Sequence, residues 1–325
     1  MKWYVLRRLA WTLVATWLVL TLTFGLVAAS PDPGASAYVA QQVQAGGDVE
    51  GAQASYERAR GLDRPLWAQY RDYMIGMATL DWGWSETRSQ PVVEAVAAAW
   101  PYSVMYGAPA LLVSTVLGVA VGLYSATHRN TLEDYAASSF AFFGISIPDF
   151  WFAIVLILVF GVTLGWIPIY YRSDVPWLSL ANARQLLAPA LVVTLSSIAG
   201  EMRYSRATAL EYVNSAFVKT AKAKGASSWR RVTRHVLRPA LVPLSTILVA
   251  DLLNVVLVSS YLVEVVFGIP GLGLLSYKAI RQQDVALVLA TVLIPTFVAL
   301  LGNLAQDVAY TVLDPRIDYG GREGR

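Results

Sequence analysis

Residues 211–239 read EYVNSAFVKTAKAKGASSWRRVTRHVLRP, and the reading of the whole chain turns on this stretch. It holds seven basic side chains (Lys219, Lys222, Lys224, Arg230, Arg231, Arg234 and Arg238) against one acid, Glu211. Strongly apolar runs flank it on both sides. Within it, FVKTAKAKG at 217–225 is helix-prone, because alanine and lysine favour helix and Gly225 supplies a residue tolerant of positive φ at the end of the run. Residues 229–237 suit a second short helix. Two short helices joined at a glycine would make a compact projection beside a membrane. A plainer reading is that these cations only set orientation and touch anionic lipid.

Composition supports a membrane setting. Of 325 residues, 56% are apolar and 14% charged, whereas a soluble domain carries about 25% charged residues. Working outward from the basic stretch, the next apolar runs are 186–204 before it and 240–263 after it. Further out lie 135–167, divided by Pro148, then 102–126, 9–29 and 285–313. Residues 135–167 are too many for one straight crossing, so the expectation is a lead-in followed by a main crossing at 149–167, or one tilted, kinked helix. The first run has about 21 residues, long enough for a bilayer about 30 Å thick and longer than the core of a cleaved signal peptide, about 7–15 residues. A retained helix is expected.

Between the first two runs, residues 31–100 change character. Nine acids and five arginines lie here among Pro31, Pro33, Gly34, Gly46, Gly47 and Gly51. Short helices are expected at 52–60 and 66–77, with Leu66, Tyr70, Tyr73 and Met77 on one face. Trp67, Trp82 and Trp84 read as cap packing and an interfacial belt, or as contacts to a ligand or partner. Gly118 and Gly122 form GxxxG, a spacing that permits close helix approach.

Six spans put both ends on one side. On that side fall 16 of the 25 Lys and Arg, against nine opposite, five of which are in the long insert where charge has little topological weight. Both termini and the basic stretch are therefore expected in the cytoplasm. The expected organisation is a first helix at 1–30, an extracytoplasmic insert at 31–100, a five-helix core at 101–315 carrying the basic loop 207–239, and a tail at 316–325.

Most catalytic chemistry is missing from the sequence. There is no cysteine, so thiolate metal sites and disulfides are excluded. With His128 and His235 the only histidines, a multi-histidine metal centre is hard to build. No phosphate-binding G-x-x-x-x-G-K-[ST], HExxH or GxSxG occurs, and Ser259 and Ser260 have no local histidine to activate them. Polar groups inside apolar runs remain. Asp251 lies mid-span with Asn254 one turn on, and Asn303 and Asp307 share a helical face. Such residues face a bundle interior or a watery path. Asp251 and Asn254 are candidate pore-lining residues, and an autonomous secondary transporter or channel using Asp251 is the competing functional class.

Several stretches together resemble the B-type permease subunit of the dipeptide/oligopeptide (peptide/nickel) family of binding-protein-dependent ABC importers. They are GLDRPLWAQY at 61–70, LDWGWSE from Leu80 with PV at 91–92, and FFGISIPDFW at 142–151. LGWIP at 164–168, VEVVFGIPGLG at 263–273 and NLAQDVAYTVLDPRI at 303–317 complete the set. In the basic stretch Lys219 and Thr220 stand where the general EAA pattern has Glu and the first Ala, while Ala221 and Gly225 are kept. The resemblance implies an all-α membrane protein of six transmembrane helices with type I ABC importer permease architecture, in the cell (plasma or inner) membrane. It implies a second homologous permease, two ATP-binding subunits that hold ATP and Mg, and an extracytoplasmic solute-binding protein, with no cofactor or catalysis on this chain. Residues Phe217, Val218, Lys219, Thr220, Ala221, Lys222, Ala223, Lys224 and Gly225 would be the coupling helix that meets an ATPase. Glu264, Phe267, Pro270, Gly271 and Gly273 would form an outer gate or loop, and Trp82 and Trp84 would meet the binding protein. Cargo in such a family ranges over dipeptides, longer peptides, nickel chelates, glutathione and some sugars.

Overall fold

The computed structural model describes residues 2–30, 33–241, 243–245 and 261–313. The chain opens with α1 (Lys2–Ala29), whose 28 residues give a rod about 42 Å long at 1.5 Å per residue. Trp11, Leu13, Leu22 and Leu26 point outward on it, as suits a helix surrounded by lipid.

The insert is more helical than its glycines and prolines suggest. It forms α2 (Pro33–Gln44), α3 (Val49–Arg60) and α4 (Leu66–Thr79), then a hairpin of β1 (Trp84–Ser85) and β2 (Gln90–Pro91). Helix α2 was not expected. Pro33 reads as a breaker, yet at the first position of a helix its missing N–H costs nothing. Asp48 caps α3 by accepting from the Gly51 amide, and Gly61 ends it at φ 64°. The Tyr70 and Tyr73 face of α4 lies on α1: Tyr70 and Thr21 hydroxyls are 2.7 Å apart, and Phe24 packs on both tyrosine rings.

Helix α5 (Val92–Thr127) begins ten residues earlier than the expected second span and runs through the boundary placed at residue 100, with Pro101 and Pro109 inside it. After a short turn come α6 (Leu132–Ser146) and α7 (Asp149–Leu156), the latter continuing as a π-helix, Ile157–Thr163. The two arms meet at 96°, so a single kinked helix is set aside in favour of two. Pro148 is the cause, because it excludes Ile147 from the helical region, and Ile147 sits at φ −88°, ψ 121°.

Helix α8 (Leu180–Val213) is also longer than the expected fourth span. Its charged residues do not mark its end. Glu201 is buried and accepts from the Ser114 hydroxyl at 3.0 Å, and the Arg203 guanidinium lies 5.8 Å from the centre of the Phe142 ring. Helix α8 makes its broadest contact with α5, and GxxxG explains how. A Cβ on Gly118 would lie 2.8 Å from the Glu201 Cβ, and one on Gly122 would lie 2.6 Å from the Met202 carbonyl oxygen. Both glycines let α8 approach to a distance that any side chain would forbid.

Then follow α9 (Ala216–Ala223) and α10 (Ser228–Arg230), which continues as a π-helix, Arg231–Leu237. Most of the expected fifth span, including Asp251 and Asn254, lies outside the described residues. The chain resumes with α11 (Tyr261–Phe267), which meets α12 (Leu272–Arg281) at 84°, and ends in α13 (Val285–Leu313), bounded as expected. Among the described residues four helices are long and apolar enough to cross a bilayer, or up to six if each bent pair is one span. The largest core cluster joins α5, α7, α8 and α11 through Tyr106, Leu156, Val192, Val263 and Phe267.

Candidate functional site

The basic stretch is anchored from its two ends. Helix α8 stops at Val213, the Ser215 amide closes a turn on the Tyr212 carbonyl at 3.0 Å, and α9 starts in a new direction. Val218 and Ala221, three residues apart, share the inward face of α9 and are buried. Val218 packs with Leu123 and Ala126 at the end of α5, Ala209 of α8 and Val236 of the π-helix. Phe217, Lys219, Thr220, Lys222, Ala223 and Lys224 are exposed. Gly225 takes φ +78°, its amide bonds to the Lys222 carbonyl, and the Ala226 amide reaches back to Ala221 at 3.0 Å. This glycine-centred C-cap turns the chain into α10, where the Ser227 hydroxyl accepts from the Arg230 amide. The outcome is a cationic helix whose apolar side packs on the π-helix and, through it, joins the core cluster at the ends of α5 and α8.

An ion pair beside it locks the same helix ends. The Arg206 guanidinium on α8 binds Asp134 of α6 through two bonds of 2.8 Å, and the Ser125 hydroxyl of α5 also donates to that carboxylate. The Asn130 amide adds a fourth bond at 3.0 Å. A paired guanidinium and carboxylate with every lone pair used is the arrangement that tolerates burial. A threonine N-cap at Thr131 followed by acids signals a helix start but not a partner on α8.

The expected outer-gate residues form one cluster. Glu264 is fully buried. Its Oε1 accepts from the Ser103 and Tyr106 hydroxyls at 2.7 and 3.0 Å, and Oε2 accepts from the Gly273 and Leu274 amides at 2.8 and 3.1 Å. Gly271 touches the carboxylate so closely that an added Cβ would sit 2.5 Å from it. Phe267 fills the core below, and Gly268 takes φ +68° to make the turn. The other two sequence candidates separate from each other. Trp82 is half-buried, packs against the α5–α12–α13 cluster and donates to the Met77 carbonyl at 3.4 Å. Trp84 is 57% exposed.

One further anchor was missed. Asp284 precedes α13, accepts from the Leu287 amide as its N-cap, and also receives the Ser85 and Thr87 hydroxyls at 2.6 and 2.8 Å. Burial raises the pKa of this carboxyl, but the hydrogen bonds from Ser85, Thr87 and Leu287 outweigh that and hold it below the ordinary aspartate value. It ties the insert hairpin to the core. An aspartate directly before a long apolar run is a readable N-cap signal.

A bundle of long apolar helices with a buried carboxylate-closed turn and an exposed basic helix suits a membrane-embedded component. Residues 118–319 match the family described as "Binding-protein-dependent transport system inner membrane component", and the chain belongs to it. It is 32% identical over 317 residues to the "Oligopeptide transport system permease protein OppB" of Haemophilus influenzae, covering 97% of this chain and 99% of that protein. It is also 32% identical to the "Dipeptide transport system permease protein DppB" of Bacillus subtilis, covering 97% of each. Among solved structures, an inward-facing MetNI methionine ABC transporter chain superposes with a TM-score of 0.54 at 17% identity, over 68% of this chain and 96% of that one. That likeness is one of fold. The chain is thus a multi-pass inner-membrane permease component of a binding-protein-dependent importer.

Proposed function

We propose that this chain forms half of a path for peptides or similar small solutes, and that α9 is its coupling helix. A binding protein delivers solute on the side of the insert, a second permease completes the path, and two separate ATPases that hold ATP and Mg act from the cytoplasm on residues 217–225. The peptide assignment is supported by the names of relatives that align over almost the whole chain. The excess of Lys and Arg on one side supports a cytoplasmic setting for both termini and α9. Trp84, on the exposed edge of the insert hairpin, is the tryptophan suited to meet the binding protein, whereas Trp82 is committed to packing.

The observation that carries the coupling assignment is the seating of α9. Its apolar face packs on the π-helix 231–237, which itself packs on α5 and α8 within one core cluster, so a displacement applied to α9 is passed through the π-helix to the two most extensively packed spans. Two arrangements of the bundle, biased by a partner that binds one of them better, suffice for alternating access. In Gly225→Pro the turn at φ +78° is unavailable, since proline is fixed near −65°. In Ala221→Asp a charge enters the buried face. Either variant should leave the chain in the membrane while ATP hydrolysis by the assembled transporter no longer drives uptake. Normal transport rates in both variants would remove the coupling role.

A further inference from the structure

We propose that the cleft behind α9 binds the phosphate group of an anionic phospholipid. The cleft, of about 500 Å³, opens between the end of α5, the turn after α8 and the basic helices. This inference rests on the cytoplasmic placement of α9 given above, and it adds a ligand that coupling does not require.

The lining has two chemistries. Lys219 and Lys222 of α9 and Arg231 of the π-helix supply positive charge, His128 after α5 adds a polar ring, and no carboxylate lines the cleft. Among the described residues Lys219, Lys222 and Arg231 form no ion pair, unlike Arg206, which Asp134 neutralises. Glu133 is near enough to His128 to interact electrostatically but does not line the cleft. Two of the lining side chains are also posed. The Ser228 hydroxyl holds the Arg231 guanidinium at 2.9 Å, and the His128 ring stacks on Tyr124 at 4.2 Å with Nδ1 3.0 Å from the Tyr124 carbonyl.

The other half of the lining is aliphatic, from Val213, Val218, Val232 and Val236. Inorganic phosphate gains nothing from such a wall. The carbon skeleton that follows the phosphate in a lipid does, by covering apolar surface. The cleft also begins at Thr127, the last residue of α5, and so adjoins the end of an apolar span. Cationic pockets between spans on the cytoplasmic side take anionic headgroups.

The test uses the assembled transporter, purified and incubated with equal amounts of phosphatidylglycerol and phosphatidylcholine, with bound lipid counted by native mass spectrometry. The wild type should retain phosphatidylglycerol in preference. Arg231→Gln should cut that retention about tenfold, the scale of one charge-assisted contact, and Arg231→Lys should restore most of it. Equal retention of both lipids by the wild type overturns the proposal without recourse to any variant, as does unchanged retention in Arg231→Gln. Millimolar inorganic phosphate should leave lipid retention unchanged. Arginine-dependent broadening of its phosphorus resonance, with no phosphatidylglycerol retained, assigns the cleft to soluble phosphate and overturns the lipid source. ATP-driven uptake by Gly225→Pro in phosphatidylcholine vesicles reports on coupling separately, so the two readings fail independently.

Discussion

Glu264 offers the sharpest test of the structure, because its two oxygens face different kinds of donor. Oε2 receives the Gly273 and Leu274 amides, which cannot turn away, and Oε1 receives two hydroxyls, which can. The Ser103 oxygen in turn accepts from the Leu272 amide at 2.9 Å, so one carboxylate and one hydroxyl satisfy three of the amides that open α12. Glu264→Ala orphans two buried amides at about 1–3 kcal/mol each and opens a cavity, for a loss of about 4 kcal/mol in all, or roughly a thousandfold in an equilibrium constant. Glu264→Gln keeps an oxygen for the amides and turns its NH2 toward hydroxyls that can rotate to accept. Its cost is the charge assistance alone, about 1–2 kcal/mol. Tyr106→Phe removes one donor and leaves the carboxylate three others, for about 1 kcal/mol. Unfolding of the purified complex, titrated with denaturing detergent, should rank the variants Ala, then Gln, then Phe. Equal loss in Gln and Ala would refute the split between fixed and rotatable donors. An Ala variant within about 1 kcal/mol of wild type would refute the assignment of Glu264 as the anchor of α12.

Two other outcomes follow from the same geometry. Gly122→Ala must open the α5–α8 contact by roughly 0.8 Å to bring a 2.6 Å approach to the 3.4 Å of ordinary contact, whereas Gly200→Ala on the open side of α8 meets nothing within 4 Å. The first should destabilise by about 1–3 kcal/mol and the second should be neutral or stabilise by up to about 1 kcal/mol, in the same detergent titration; equal effects would contradict the packing. Asp284 links the insert to pH: its pKa is lower in the folded state, so its stabilisation is complete above the ordinary aspartate value and is lost as pH falls through the folded one. Fluorescence of Trp84 should report release of the hairpin in that acid range, and Asp284→Asn should remove the acid step; an unaltered acid transition in the variant would sink the link.

What the sequence disclosed was local, and what it concealed was pairing. The boundaries of α13, the break at Pro148 and the glycine-capped basic helix were all legible, because each follows from residues within a turn or two of one another. Gly118 and Gly122 announced a close approach without saying to what. The partners of the buried carboxylates were beyond reach, since Glu264 meets Ser103 across 161 positions, Asp134 meets Arg206 across 72, and Asp284 meets Ser85 across 199. No periodicity encodes such a distance. The spans themselves were read too short for a related reason: hydropathy marks where lipid is tolerated, while α5 and α8 continue as helix past that zone, their polar ends being satisfied by each other and by the insert.

The same features decide where the proposed coupling motion can be absorbed. The α5–α8 contact admits no side chain between Gly122 and Met202, and Arg206, Ser125 and Asp134 tie its lower end to α6. Packed elements of this kind have discrete arrangements and do not deform continuously, so a displacement of α9 carries them together. The compliant places are the interruptions: the extended pair Ile147 and Pro148, and the turn at Gly268 between α11 and α12. The second of these is the turn that Glu264 closes from beneath. On the proposed coupling, a motion begun at the cationic helix would be taken up as a change in the angle between α11 and α12, and the Glu264 carboxylate is the contact it would strain.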